Sequence, residues 1–215
     1  MKCTNLMMVA VLSLLFTGCE TVYNSTMENV FGYEKRELLK KSVEALQEDQ
    51  QEAQEEFQDA MTRLKELYAF EGGELEGVYN RVKSAYDDCV AQAGEVRQRI
   101  ASMEKIASSM FAEWEQEIGQ YSNPALAENS RRQLKETKDR YAQLSTSVRT
   151  SEESMQPVLV QLKDHVLYLK HNLNAAAIGS LRGEAGNIQG QIEQLIGRMN
   201  TSIAEADAFI KTLPQ

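Results

Sequence analysis

A repeat of mostly apolar residues, spaced alternately by four and three, restricts the first half of this chain to a long amphipathic helix. The residues of this first seam are Leu39, Val43, Leu46, Gln50, Ala53, Phe57, Ala60, Leu64 and Leu67. Such spacings place side chains on one face of an α-helix, as at the a and d positions of a coiled coil. An isolated helix cannot bury such a face, so the pattern predicts partner helices.

A second seam follows the glycines at positions 72 and 73, which are suited to end the first helix in a tight reversal. Its residues are Leu75, Val78, Val82, Tyr86, Cys89, Ala93, Val96, Ile100, Met103, Ala107, Met110 and Trp114. Because Cys89 falls on this seam, we expect a packed small side chain rather than a nucleophile. The adjacent Asp87 and Asp88 also disfavour its thiolate.

The second half of the chain continues the helical pattern with recognisable start and break signals. Asn123 and Pro124 are a typical N-cap and first residue of a third helix. Pro157 should kink that helix, because it lacks a backbone donor and clashes with the preceding turn. Asn172 and Asn174 are the best candidates for a break before a fourth helix. The sequence therefore predicts an all-α fold, an elongated antiparallel helical bundle or coiled coil of three to four long helices.

Two features of the last helices predict unusual packing. Residues 158–173 carry apolar side chains on more than one face, which predicts the most buried segment of the fold. A stripe of small residues follows at helical spacing, formed by Gly179, Gly183, Gly186, Gly190 and Gly197. Each glycine in a helix costs up to about 1 kcal/mol relative to alanine, so this glycine stripe indicates either a closely approaching neighbour or local flexibility.

The N-terminal residues have the layout of a lipoprotein signal. Lys2 gives a positive start, residues 6–16 form an almost uninterrupted apolar run, and Thr17-Gly18-Cys19 supplies the small residues and cysteine that a lipoprotein signal peptidase recognises. We expect residues 1–18 to be a cleaved signal peptide, 19–24 a lipidated N-terminus and tether, and 25–215 a single helical coiled-coil domain. An ordinary secretory signal with a coincidental cysteine is the alternative.

The residue after Cys19 and the net charge of the chain indicate its membrane and the partners it lacks. Acylation of Cys19 would anchor the mature chain on a membrane. Glu20 follows it, and the absence of an aspartate at this position favours the outer over the inner membrane. The formal net charge of −9 lacks the positive surface that phosphate backbones require, so we expect no nucleic-acid partner.

One polar constellation lies within the apolar segment of residues 158–173. Asp164, Tyr168 and His171 are spaced by four and three and share one helix stripe. The favoured interpretation is the solvent-facing edge of the segment together with a helix end, and the alternative hypothesis is a buried polar network or a recognition spot for a partner. His165 and His171 are six residues apart, which is not the spacing of a metal-binding pair. We expect no catalytic residues, no metal ligands and no cofactor.

Five blocks carry a resemblance to a known family: Tyr23-x-x-x-Met27-Glu28, Gly32-Tyr33-Glu34-Lys35-Arg36, Phe70-x-Gly72-Gly73, Phe111-Ala112-Glu113-Trp114-Glu115 and Val166-Leu167-Tyr168-Leu169-Lys170-His171-Asn172-Leu173-Asn174-Ala175. In these blocks the chain resembles a family of bacterial lipoproteins defined as a domain of unknown function, over essentially the whole mature chain. The resemblance implies a Gram-negative envelope lipoprotein with a helical, coiled-coil body. It implies no activity and supplies no catalytic residues.

These observations favour a lipid-anchored, periplasm-facing coiled-coil lipoprotein with a structural or partner-binding role, as a scaffold or adaptor. Its expected partners are the membrane, through the lipid, and an envelope protein or a second copy of itself. The alternative is a helical binder of an apolar ligand or a membrane-remodelling protein that uses residues 158–173 and the glycine stripe, which predicts an apolar cavity or lipid-dependent opening. An enzyme is the least favoured class, because it would need a concave pocket with converging titratable groups.

Overall fold

A computed structural model describes residues 32–213, and their side chains from residue 35 onward. Its helices are α1 (Gly32–Tyr68), α2 (Leu75–Ile118), α3 (Pro124–Glu153), α4 (Met155–His171), α5 (Ala175–Arg182) and α6 (Ala185–Thr212). Residues 32–213 contain no strand, which confirms the all-α prediction. The predicted signal peptide, Cys19 and the tether lie outside the described residues.

The described part of the chain has six helices rather than three to four, because the third and fourth expected helices are interrupted. One break lies at Ser154, just before α4. Pro157 then falls in the first turn of α4, where a backbone N–H would have no partner within the helix, so its absence costs nothing. Another follows His171, where Asn174 caps α5 by accepting a hydrogen bond from the backbone N–H of Ala177 at 3.0 Å. Both breaks occur where the sequence indicated them, whereas the break between α5 and α6 was not predicted.

The long helices α1 and α2 run in opposite directions. Lys35 of α1 pairs with Glu113 of α2 at 3.1 Å, and Glu66 of α1 pairs with Arg81 of α2 at 3.3 Å. We call the end of the bundle at the Lys35–Glu113 pair the near end, and the end at the Glu66–Arg81 pair the far end. The 44 residues of α2 correspond to a length of about 66 Å, at 1.5 Å per residue.

The later helices complete the core by packing along the first two. Arg149 of α3 pairs with Glu104 of α2 at 2.6 Å, and Tyr141 of α3 contacts Phe209 of α6 with ring centroids 5.9 Å apart. Helix α6 packs against both α1 and α3, while α4 packs mainly against α2. The core therefore lies between these helices along the whole length of α1 and α2.

The first seam is buried as the sequence predicted. All nine of its residues are at most 1% exposed. In the second seam the residues from Val78 to Met110 are buried except Tyr86, and Leu75 and Trp114 at its ends are also only partly buried. Cys89 is fully buried, and burial raises the pKa of its thiol, with further contributions from Glu56, Asp88 and Asp59. The predicted packed role of this cysteine is confirmed.

The turns between the long helices also match the sequence signals. Gly73 has φ +118°, a backbone conformation that residues with a side chain rarely adopt, so the reversal between α1 and α2 depends on it. Asn123 caps α3, since its side-chain oxygen accepts hydrogen bonds from the backbone N–H groups of Ala125 at 2.9 Å and Leu126 at 3.4 Å. Pro124 is the first residue of that helix.

Two packing predictions for the last helices are corrected. The interpretation of the glycine stripe as a close helix contact is wrong, because a Cβ built at Gly179, Gly186, Gly190 or Gly197 would meet nothing within 4 Å. Residues 158–173 are not buried on every face either. The inner side of α4 is buried, but Val160 and Leu167 are each 47% exposed.

A buried polar pair interrupts the apolar core between α1 and α6. Gln50 belongs to the first seam, and its side-chain oxygen accepts a hydrogen bond from the hydroxyl of Ser202 at 2.6 Å. Both side chains are fully buried, and the amide nitrogen of Gln50 has no hydrogen-bond partner among the described residues. Nearby, the side chain of Gln47 donates to the backbone carbonyl of Ile203 at 3.0 Å. These bonds set the position of α6 along α1.

We predict that Gly197→Ala raises the free energy of unfolding by about 0.5–1 kcal/mol, because the methyl group meets open space and the unfolded chain loses conformational freedom. Urea denaturation of the substituted protein measures this. Gly73→Ala is the control and should lower stability, since its φ of +118° is strained for alanine. A loss of stability in Gly197→Ala would show that the stripe does contact a neighbour.

We also predict that Ser202→Ala alone destabilises the fold by about 1–3 kcal/mol, because it leaves the buried Gln50 amide oxygen unpaired. The double change Gln50→Leu with Ser202→Ala should recover most of this loss, since it removes both polar groups. A double-mutant cycle by urea denaturation tests the coupling. Additive losses would mean that the two side chains do not act as a pair.

Candidate functional site

Helix α4 has one face in the core and another that no described helix covers. Val158, Leu162 and Leu169 point inward and are at most 1% exposed. On the opposite side Val160, Leu167 and Tyr168 are 47%, 47% and 40% exposed. We define the outer face of α4 as Val160, Lys163, Asp164, Leu167, Tyr168 and His171. An apolar stripe on a surface helix of a packed bundle is a candidate interaction site.

The three sequence-predicted site residues lie together on this outer face. Asp164, Tyr168 and His171 are all exposed, so they do not form the buried polar network, and their exposure is that of the solvent-facing edge. The backbone carbonyl of Tyr168 accepts a hydrogen bond from the side chain of Asn172 at 3.0 Å, which stabilises the end of the helix. Their role as a recognition spot stays a prediction.

A shallow groove beside the outer face extends the apolar surface onto α2. The groove has a volume of about 240 Å³ and is lined by Tyr86, Val90, Ala93, Gly94, Leu159 and Val160, among others. Val90 is 42% exposed, and a Cβ at Gly94 would meet nothing within 4 Å. The small side chains of α2 therefore leave space for a side chain from a partner.

Basic residues border this groove and the outer face. Lys163 and Arg97 line the groove, and Arg97 also pairs with Glu152 at 2.6 Å. Lys170 follows one helical turn after Leu167, so the outer side of α4 carries two lysines against the single Asp164. This local excess of positive charge lies on a chain whose formal net charge is −9.

The structure also contains a buried polar pair that the sequence did not reveal. Tyr68 at the end of α1 and His165 on the inner side of α4 are hydrogen-bonded at 3.0 Å between Oη and Nε2. His165 Nδ1 lies 2.9 Å from the backbone carbonyl of Gln161, which only accepts, so Nδ1 carries the proton and Tyr68 donates to Nε2. The neutral imidazole is thus fully paired. The only sequence signal was a tyrosine beside the last residue of the first seam.

Burial shifts the titration of both members of this pair. Desolvation lowers the pKa of His165, against smaller opposing effects of the Gln161 hydrogen bond and the carboxylates of Glu184 and Asp164. Desolvation, with a contribution from Glu184, raises the pKa of Tyr68 to about 12. Because His165 is only 3% exposed, its location favours a structural role at the far end over contact with a substrate.

Arg182 of α5 binds the backbone next to the Tyr68–His165 pair. The guanidinium of Arg182 donates hydrogen bonds to the backbone carbonyls of Tyr68 and, at 3.1 Å, Phe70. Tyr68 is the last residue of α1, whose final carbonyls have no partner within the helix, and Phe70 lies in the turn that follows. The short helix α5 therefore holds the far end of α1 in place and supports the Tyr68–His165 pair.

Two other features are less suited to binding. Carboxylate oxygens of Asp49, Glu52 and Glu95 lie within 4.8 Å of one another, but Arg99 pairs with Asp49 at 2.7 Å and already balances part of this charge. A wide groove of about 690 Å³ between α2 and α3 has Phe111 and Tyr141 among its lining residues.

The rim of the wide groove does little to favour an apolar ligand. It carries the ion pairs between Glu104 and Arg149 and between Glu115 and Lys138. An apolar molecule seated there would remove water from these charges without replacing their hydrogen bonds.

Comparison with known proteins shows that one family model matches most of the chain. The family model described as "Protein of unknown function (DUF2959)" matches residues 23–213. Curated proteins and solved structures give no match. Among residues 32–213, no helix combines the length and apolar character needed to cross a membrane.

We predict that the stability of the protein falls as the pH drops below about 6.5. The folded state lowers the pKa of His165 below its ordinary value of 6.5, so the unfolded chain binds more protons and acid favours unfolding. The measurement is the melting temperature between pH 7.5 and about 5, with carboxylates still ionised over most of this range. His165→Gln should flatten the pH dependence, whereas the exposed control His171→Gln should keep it. An equal slope in His165→Gln would contradict the assignment.

Proposed function

We propose that this chain, which belongs to the DUF2959 family of proteins of unknown function, is a lipid-anchored envelope protein that binds a partner through the outer face of α4. The observation that carries the proposal is the exposed apolar stripe of Val160, Leu167 and Tyr168 on a helix whose other face is buried. The proposed role is that of a scaffold or adaptor on the periplasmic side of the outer membrane.

The anchor in this proposal is Cys19. The apolar run of residues 6–16 and the small residues Thr17 and Gly18 support its acylation. Lipid attachment of this kind holds a protein stably on a membrane without a membrane-spanning helix. The elongated antiparallel bundle then carries the outer face of α4 away from that membrane, because α4 reaches the far end, where His165 meets Tyr68.

The partner that fits this surface is an amphipathic helix with acidic residues beside its apolar face. The groove between α2 and α4 can receive apolar side chains at helical spacing, which is a common mode of helix recognition. Lys163 borders the groove and Lys170 lies two helical turns further along α4, so both can complement acidic side chains of a partner. Arg97 also borders the groove, but it is already paired with Glu152. Val160, Leu167 and Tyr168 are already more than half buried, so covering the rest of each contributes only part of the about 1.5–3 kcal/mol of a full burial. A specific contact therefore needs the groove and its bordering charges in addition to these three side chains.

The glycine stripe no longer supports the ligand-binding alternative, because those glycines border open space. Self-association through the outer face of α4 would use the same apolar residues. It would, however, bring the lysines of two copies into proximity, which favours a different, acidic partner.

We predict that a photo-crosslinking residue at Leu167 captures one partner in cells that make the full-length protein. Gln143 of α3 is the control, because its side chain is exposed and lies outside the outer face of α4. Val160→Ser with Tyr168→Ser should reduce capture at Leu167 about tenfold or more, since loss of apolar burial of about 1.4 kcal/mol already changes affinity tenfold. Mass spectrometry then identifies the crosslinked peptide.

An acidic amphipathic segment of another envelope protein at the crosslink would support the proposal. A crosslinked peptide from this chain itself would replace it with self-association. Equal capture at Leu167 and Gln143 would contradict a partner site on α4.

The anchor is tested separately by metabolic labelling with a radioactive fatty acid. We expect label in the natural protein and none in Cys19→Ser, which lacks the acceptor thiol. Separation of the two membranes on a density gradient should place the labelled protein in the outer membrane, and Glu20→Asp should move it toward the inner membrane. Label in Cys19→Ser would refute the anchor.

A further inference from the structure

The turn between α2 and α3 presents two large apolar side chains at the near end. Tyr121 is 47% exposed and Leu126 is 53% exposed. No charged residue lies between Ile118 and Ala127, although 26% of the chain is charged. The turn between α1 and α2 at the far end, by contrast, carries Glu71 and Glu74.

The backbone holds these two side chains in a defined position. Asn123 accepts hydrogen bonds from the N–H groups of Ala125 and Leu126, and Pro124 fixes the first turn of α3. The side chains therefore project from an ordered turn, and burying them costs little additional conformational entropy.

The first described turns of α1 lie beside this turn. Arg36 in the first turns of α1 lies over the ring of Trp114, 5.6 Å from its centroid. A cavity of about 160 Å³ lies here, and Arg36, Trp114 and Tyr121 are among the residues that line it. Cys19 precedes Gly32 by 13 residues, which can span at most about 45 Å even when fully extended. An acyl group on Cys19 therefore keeps the start of α1, at the near end, within about 45 Å of the lipid surface.

We propose that Tyr121 and Leu126 insert into the lipid headgroup region and orient the anchored bundle with its near end on the membrane. This inference rests on the proposed acylation of Cys19. Tyrosine is suited to this environment, because its ring is apolar and its hydroxyl bonds to water or headgroups. Phospholipids are the partner in this proposal, because the turn is uncharged and the anchor brings it to the lipid surface.

Two side chains do not suffice to bind a bilayer by themselves. A single myristoyl chain, with a much larger apolar surface, binds only marginally. Attachment through Cys19 changes the situation, because the short tether raises the effective concentration of the turn at the surface. The contact sets the orientation of the bundle, and the acyl chains supply the anchoring.

The test uses the full-length acylated protein in vesicles of phosphatidylethanolamine and phosphatidylcholine with brominated acyl chains, which quench tryptophan on contact. Trp114 is the only natural tryptophan and gives the background emission. Tyr121→Trp reports on the turn, and Tyr168→Trp is the matched control, a tyrosine 40% exposed toward the far end. Vesicle flotation measures anchoring in every sample.

We expect all acylated proteins to float, with the added emission of Tyr121→Trp quenched about twofold or more and that of Tyr168→Trp unchanged. Leu126→Ser in the Tyr121→Trp protein should reduce that quenching. If the proteins float but the two reporters are quenched equally, membrane contact of the turn is refuted while the anchor stands. If the natural protein does not float, the anchor itself fails, and this inference fails with it.

Discussion

Burial of the first seam against α2 is the interaction on which the remaining structure depends. Its nine residues are at most 1% exposed, and a fully buried leucine or phenylalanine contributes about 1.5–3 kcal/mol. The ion pairs along α1 and α2, such as Lys35 with Glu113, involve partly exposed groups that each contribute about 0–1 kcal/mol. Apolar burial thus supplies the stability, and the ion pairs mainly select the antiparallel register. Helices α3 to α6 cover the sides of this pair that remain apolar.

Polar groups inside the bundle fix the position of one helix along another. Apolar packing alone would allow neighbouring helices to shift lengthwise. Gln50 with Ser202 fixes α6 along α1 in the middle of the molecule. At the far end Tyr68 with His165 fixes α4 against α1, and Arg182 joins α5 to the end of α1. Each buried donor or acceptor is costly without its partner, so a shifted register is disfavoured.

The two ends of the bundle differ in ways that fit the proposed function. Helix α1 begins at the near end, which also carries Tyr121 and Leu126 on an uncharged turn. Toward the far end, α4 exposes Leu167 and Tyr168 beside lysines. On the proposed arrangement, the bundle separates a membrane-contacting end from a partner-binding face by a large part of the roughly 66 Å of α2.

The sequence by itself determined the helices, their main seams and most of their ends. Heptad spacing predicted the burial of the first seam and of Cys89, and glycine and asparagine signals located the turns at Gly73, Asn123 and Asn174. These features are local, because spacing and capping depend on residues within one or two turns. The placement of Asp164, Tyr168 and His171 on one stripe also follows from spacing alone, whereas their exposure does not.

Only the tertiary structure decided which apolar faces found a partner. The sequence could not distinguish the buried side of α4 from the exposed Val160 and Leu167, because both carry the same residue types. It could not reveal that the glycine stripe borders open space, or that Tyr68 meets His165 across 97 positions. These outcomes depend on how helices distant in sequence are arranged around α1 and α2, and helical periodicity specifies a face without specifying its neighbour.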